Sequence, residues 1–141
     1  MHYEVHVAEW GQYETRLSAL RFEVFVSEQG VPVELELDED DPLAIHVASS
    51  ANGEVVGTGR ILSNGKIGRM AVKASFRGNG IGSAILIRLV AEGRRLRLSR
   101  VYLGAQLSAI TFYEAHGFAA YGDVFSDAGI DHQMMELLLD Q

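Results

Sequence analysis

Hydrophobic positions recur along the chain with two periods, and the switches between them mark out the elements. Residues 2–8 alternate, with Tyr3, Val5 and Val7 on one side and His2, Glu4 and His6 on the other. That is the pattern of a strand with one wet face. Over 14–28 the spacing becomes helical, and Leu17, Leu20, Val24 and Phe25 form one stripe. Gly30 supplies a stop and Pro32 blocks continuation. Residues 33–38 alternate again, with Val33, Leu35 and Leu37 against Glu34, Glu36 and Asp38. The alternation predicts an extended segment carrying three carboxylates on one side. Glu39, Asp40, Asp41 and Pro42 follow it.

Three strands are expected next, at 43–50, 54–63 and 66–73. Asn52 and Gly53 suit the positive φ angles of a tight hairpin, and Asn64 and Gly65 mark a second one. A helix over 83–98 is expected to bury Ile85, Leu86, Leu89, Val90 and Leu96 and to leave Arg88, Arg94, Arg95 and Arg97 outside. A short buried strand at 101–105 precedes a helix at 107–116 that Gly117 stops. An antiparallel pair, 118–125 and 131–139, ends the chain. Neither a repeat nor a low-complexity linker interrupts it, and 141 residues make one domain, 1–141, large enough for a core.

Composition narrows the function. With no cysteine there is neither a disulfide framework nor a thiolate metal site, and no metal is expected. The first residues lack the basic start and apolar run of a signal peptide. No stretch approaches the ~18 apolar residues of a membrane span. A cytoplasmic protein with no membrane partner is the expectation. The net charge of −7 argues against a nucleic-acid partner. Its distribution says more. Ten of the twelve basic residues and one acid, Glu92, lie between Arg60 and Arg100, leaving +9 there and −16 on the flanks. A positive centre suits an anionic cofactor, and acidic flanks suit a cationic co-substrate.

The positive region contains the most informative stretch. Met70, Ala71 and Val72 end a strand, a loop follows through Arg77, Gly78, Asn79, Gly80, Ile81 and Gly82, and a helix opens at Ser83. Glycines let backbone approach a ligand, and the first turn of a helix offers unpaired N–H groups at its positive end. That combination cradles phosphate. A Walker loop would need lysine after the last glycine, where Ser83 stands. A dinucleotide fingerprint would need a third glycine at Ser83 and an acid about 20 residues on. Arg-x-x-Gly-x-Gly, met by Arg77, Gly80 and Gly82, is the pattern that fits.

This loop resembles the coenzyme A pyrophosphate loop of the GNAT superfamily of N-acetyltransferases. A second block carries the same likeness: a strand ending near Ala105, then a helix with Phe112 and Tyr113 ahead of Gly117 and Phe118. Residues 21–32, 57–60 and 129–132 are similar to the small bacterial ElaA-like branch. The resemblance implies an α+β (mixed α/β) single domain, a splayed mixed sheet of about seven strands flanked by helices, parted between the fourth and fifth. It implies acetyl-CoA in the gap as co-substrate, pantetheine against Met70, Ala71 and Val72, and diphosphate over the amides of 77–83. Gln106 and Phe112 would complete the coenzyme contacts.

The implied activity is direct acetyl transfer to a primary amine of a small molecule or peptide, and the acidic segment 34–41 points to a cationic one. Tyr113 is the expected proton donor to the departing thiolate. Glu28, Glu36, His46 and His132 are the candidates for general base, with His46 expected on the wet or cleft side of its strand. A non-catalytic acyl-CoA-binding or partner-binding domain is the alternative on the same fold. A homodimer is the assembly left open.

Overall fold

The computed structural model describes residues 2–36 and 38–139. Among them seven strands form two antiparallel sheets. The first has the order β1-β2-β3-β4, from Glu4–Ala8, Ile45–Ala51, Glu54–Ile61 and Ile67–Val72. The second has the order β5-β7-β6, from Arg100–Gln106, Ile130–Leu138 and Ala119–Asp127. One parallel bridge between Lys66 and Tyr102 joins them, closed by the Tyr102 N–H donating to the Gly65 carbonyl at 3.1 Å. The sheet is therefore mixed and parts between β4 and β5, as the resemblance implied.

Both hairpins form where the turn residues called for them. Asn52 and Gly53 take φ of 53° and 77°, and Gly65 takes 96°. Long helix α3 (Ile81–Arg95) covers one face of the first sheet through Ile81, Ile85, Leu86 and Leu89. Leu96 is 38% exposed instead of buried, because α3 ends at Arg95 and a left-handed turn at Arg97 follows. Gly57 and Gly59 on β3 are what let α3 lie so close. A Cβ there would stand 2.8 Å from the Ile85 and Leu89 side chains, respectively.

Helix α1 (Trp10–Arg21) covers the opposite face, where Leu17, Leu20 and Val24 meet Ala48, Val55 and Ala71. The helix expected over 14–28 changes character after Arg21. Phe22–Glu28 is a π-helical segment, with the Gln29 N–H reaching back five residues to the Val24 carbonyl at 3.1 Å. Each π turn holds an extra residue, which moves the following side chains off the α-helical stripe. The segment expected to be extended at 33–38 contains instead one helical turn, α2 (Val33–Glu36). Leu37 and the side chain of Leu35 lie outside the described residues. Helix α4 (Ile110–Glu114), after a 3₁₀ turn, is shorter than the expected 107–116.

A charged core explains the departure at 33–38. Arg21 Nε donates to Glu36 at 2.5 Å, and Arg21 Nη1 donates to Asp41 at 2.9 Å. Arg60 bonds Asp41 at 2.7 Å and Asp38 at 2.6 Å, and Arg69 reaches Asp38 at 3.1 Å. Arg21, Glu36, Asp41 and Arg60 are all buried. Alternation favoured an extended chain, but three arginines pull the carboxylates inward, and tertiary pairing overrides the local pattern. Burial pushes the Asp41 carboxyl up, yet Arg21 and Arg60 outweigh that and hold it below the usual carboxylate value.

His46 sits inside this cluster, 2% exposed, against the expectation of a wet or cleft-facing ring. It stacks on Trp10 with centroids 4.7 Å apart, and its Nε2–H donates to the Asp41 carbonyl at 2.8 Å. Burial holds the imidazole below its ordinary value. The folded protein then resists a proton that the unfolded chain accepts, so stability is full above about pH 6.5 and falls as pH drops below it. One such group contributes at most about 1.4 kcal/mol of loss at pH 5.5. Urea unfolding at pH 7.5 and 5.5 is expected to give a smaller difference for His46→Gln than for the wild-type chain.

Candidate active site

The parting of the strands originates in β4. Thr58 pairs with Ala71 and Arg60 with Gly68, so β4 takes three residue steps where β3 takes two. The extra residue is a bulge, and Arg69 within it has the left-handed φ of 52°. Bulges bend the strand that carries them. Beyond the bulge the Lys73 N–H donates to the Val56 carbonyl at 2.8 Å. Antiparallel alternation then turns the backbone groups of Ala71 toward β3. The Met70 carbonyl and the Val72 N–H point to the opposite edge, where β5 has separated.

Two cavities open along this gap. The first, about 520 Å³, runs from Met70, Ala71 and Val72 over Arg77, Gly78, Gly80, Gly82 and Ser83 to Phe112. Gly78 and Gly80 have φ of 81° and 79°, and Gly80 is the N-cap of α3. The first intrahelical bond is Ala84 N–H to the Gly80 carbonyl at 3.0 Å. The amides of Ile81, Gly82 and Ser83 thus have no partner within α3. Ile81 sends its side chain into the core. Asn79 stiffens the loop, its Nδ2 donating to the carbonyls of Phe76 at 3.0 Å and Arg77 at 3.2 Å. The Ser83 hydroxyl is 3.0 Å from His116 Nε2, a pairing no sequence pattern had marked.

Arg77 is held rather than loose. Its Nε donates to the Val72 carbonyl at 2.9 Å, and its two terminal nitrogens bond both Glu28 oxygens, at 2.5 and 2.8 Å. These bonds to Arg77 hold the Glu28 carboxyl below its ordinary value. Glu28 ends the π-helical segment, so this pair ties that segment to the glycine loop.

The second cavity, about 430 Å³, lies on the other side of the gap, bounded by Phe25 and Gln29, by β4, by β5 and by the β6–β7 hairpin. Gln106 belongs here and not to the first cavity. Its Nε2 donates to the Gln29 side chain at 3.0 Å, and it makes no capping bond to the turn that follows. His132 also lines this cavity. Its Nδ1 lies 2.7 Å from the Ile130 carbonyl. A carbonyl only accepts, so Nδ1 carries the proton and neutral His132 keeps a lone pair on Nε2. Glu36 touches the cavity but is committed to Arg21, and His46 lines neither space.

Met70, Ala109 and Tyr113 border both cavities. Edge contacts to Phe112 and Phe118, at 5.0 and 5.9 Å between centroids, fix the Tyr113 ring. Its hydroxyl donates to the Met70 sulfur at 3.7 Å. Burial raises this phenol to about 12, so it is protonated at any physiological pH.

The family model for the acetyltransferase (GNAT) domain matches residues 13–139. The uncharacterized N-acetyltransferase YjcF of Bacillus subtilis is 38% identical over 122 residues, covering 83% of this chain and 87% of YjcF. Protein ElaA of Escherichia coli is 32% identical over 125 residues, covering 82% and 81% of the two chains. Its crystal structure superposes with a TM-score of 0.86 over 96% of this chain and 99% of ElaA. The fold also matches yncA of Salmonella typhimurium, a putative acetyltransferase determined with its cofactor acetyl-CoA, at 18% identity and a TM-score of 0.77, over 100% and 96% of the chains. With its parted strands, its glycine cradle and relatives of this kind, the chain belongs to the GNAT acetyltransferase family.

Proposed function

We propose that the protein moves an acetyl group from acetyl-CoA directly to a primary amine, with the thioester in the gap between β4 and β5. The observation that carries this is the placement of Tyr113 at the junction of two cavities, one bordered by helix-terminal amides and the other by a histidine lone pair. The helix-terminal amides of α3 suit the diphosphate, and Met70 and Val72 suit a pantetheine arm lying along the open edge. Binding of acetyl-CoA by the similarly folded yncA is in keeping with that arrangement.

In the reaction, the amine nitrogen attacks the thioester carbon, a C–N bond forms and the C–S bond breaks. His132 Nε2 takes the proton from the amine, directly or through water. The Val72 N–H is available to the carbonyl oxygen as charge builds on it. Tyr113 donates its hydrogen to the leaving sulfur, and CoA departs as the thiol. Glu28 serves as the anchor of Arg77 rather than as the base, since both of its oxygens are bonded and its carboxyl is acidified.

Three outcomes are expected. Tyr113→Phe should lower kcat about 100-fold, the scale of general acid–base catalysis, while acetyl-CoA affinity by calorimetry stays within twofold. Turnover equal to wild type would remove the acid role. His132→Asn should lower kcat by a similar factor, with acetyl-CoA affinity again within twofold. Glu28→Gln should weaken acetyl-CoA binding more than it lowers kcat, and a kcat loss as large as that of His132→Asn would reinstate Glu28 as the base. Release of free thiol from acetyl-CoA, followed against an amine panel, is the common assay. Coenzyme binding with no amine-dependent release would favour a sensor over an enzyme.

A further inference from the structure

The acidic segment 34–41 suggests a cationic acceptor, but the folded chain pairs Glu36, Asp38 and Asp41 internally, and the exposed Glu34, Glu39 and Asp40 do not line the acceptor-side cavity. Glu36 is paired with Arg21, Asp41 with Arg21 and Arg60, and Asp38 with Arg60 and Arg69. Three carboxylates and three guanidiniums cancel. Of the acids that border the acceptor-side cavity, Glu36 is thereby neutralised and Asp127 lies exposed on the hairpin. Lys66 borders the same space and would repel a polycation. Phe25, Ile67, Met70, Leu103, Phe125 and Met134 form an apolar part of the wall, and Gln29, Gln106 and His132 form a polar part. The volume of about 430 Å³ is near the low end of the roughly 300–1,000 Å³ typical of small-molecule sites.

Gly68 borders this space. It pairs with Arg60 across β3 and β4, so a side chain there would stand on the Arg60 face of the sheet, the face of α1 and the π-helical segment. A Cβ at Gly68 would meet nothing within 4 Å, and its φ is not in the left-handed range. The glycine is therefore required neither by backbone conformation nor by neighbouring atoms. Gly104, across the gap, has its Cβ position 3.4 Å from the Phe125 ring and 3.7 Å from the Met134 sulfur. On β5 the space is filled by protein, whereas at Gly68 it is empty.

We infer that the acceptor is a small primary amine with an apolar, ring-sized body, and that Gly68 is a specificity-determining position that keeps room for that body. The inference rests on the acetyl-transfer reading. It excludes polyamines and lysine-rich peptides as preferred acceptors, because the one unpaired acid bordering the cavity, Asp127, is offset by Lys66.

The test uses the full chain and the series Gly68→Ala, Gly68→Val and Gly68→Leu. Initial rates with acetyl-CoA are measured for 2-phenylethylamine, 3-methylbutylamine, spermidine and a lysyl peptide, and amine binding to the protein–CoA complex is followed by calorimetry. The expected result is preference for the first two amines, with kcat/KM for 2-phenylethylamine falling at least tenfold from glycine to leucine. Acetyl-CoA affinity and Tm should stay near wild type across the series. Preferred acetylation of spermidine or the peptide would overturn the acceptor class while leaving acetyl transfer intact. Equal use of 2-phenylethylamine by all four proteins would overturn the role of Gly68. If no amine is acetylated, acetyl transfer itself fails, and the cavity is then judged by calorimetry: binding of 2-phenylethylamine that Gly68→Leu abolishes supports the site, and no binding overturns it.

Discussion

The separation of β4 from β5 is the constraint on which the rest of this molecule depends. A continuous sheet would pair every backbone group and leave no edge for a substrate. Here one bridge among the described residues, at Lys66 and Tyr102, holds the two sheets together at one end. Three residues later the bulge at Arg69 bends β4 away. A left-handed non-glycine residue costs of order 1–3 kcal/mol, so its surroundings must over-determine it. The contact from Arg69 to Asp38 does part of this, tying the bulge to the buried ion cluster under α1. The strain and the cluster are thus two ends of one arrangement, and the open edge at Met70 and Val72 is its product.

That cluster also changes how charge should be counted. Removing one partner of a buried ion pair leaves an uncompensated charge, a loss of about 3–5 kcal/mol. Arg21, Arg60, Asp41 and Glu36 therefore act as an assembled unit, with His46 held neutral against it. A run of acids in sequence looks like a field directed at solvent. Folded onto arginines from α1, β3 and β4, Glu36, Asp38 and Asp41 become an internal clamp on the sheet.

Much of the fold was legible because it is local. Asn52, Gly53 and Gly65 announce their turns, and the stripe through Ile85, Leu86 and Leu89 announces α3. The glycine loop was legible for the same reason, since left-handed φ at Gly78 and Gly80 is a property of those residues themselves. The alternation at 33–38 misled because the partners of Glu36 and Asp38 lie far away in sequence. The π-helical segment and the Arg69 bulge carry no compositional mark at all. Arg69 is not a residue that advertises positive φ, and Phe22–Glu28 keeps ordinary helical spacing. His46 looked accessible for want of any signal that Trp10 would cover it.

The raised phenol of Tyr113 limits what it can do on the proposed path. With the phenol near 12 and an ordinary thiol near 8.5, full proton transfer to a water-like thiolate would be uphill by roughly 5 kcal/mol. The sulfur, however, would emerge into the same dry gap that raises the phenol. Burial disfavours both anions, so the difference between them narrows and the hydrogen bond between them strengthens. Tyr113 is then suited to stabilise the sulfur as negative charge accumulates, and to release its proton only when the C–S bond is nearly gone. The same burial keeps the hydroxyl protonated throughout the working pH range. A more exposed phenol would be the better acid in water and the weaker hydrogen-bond partner here.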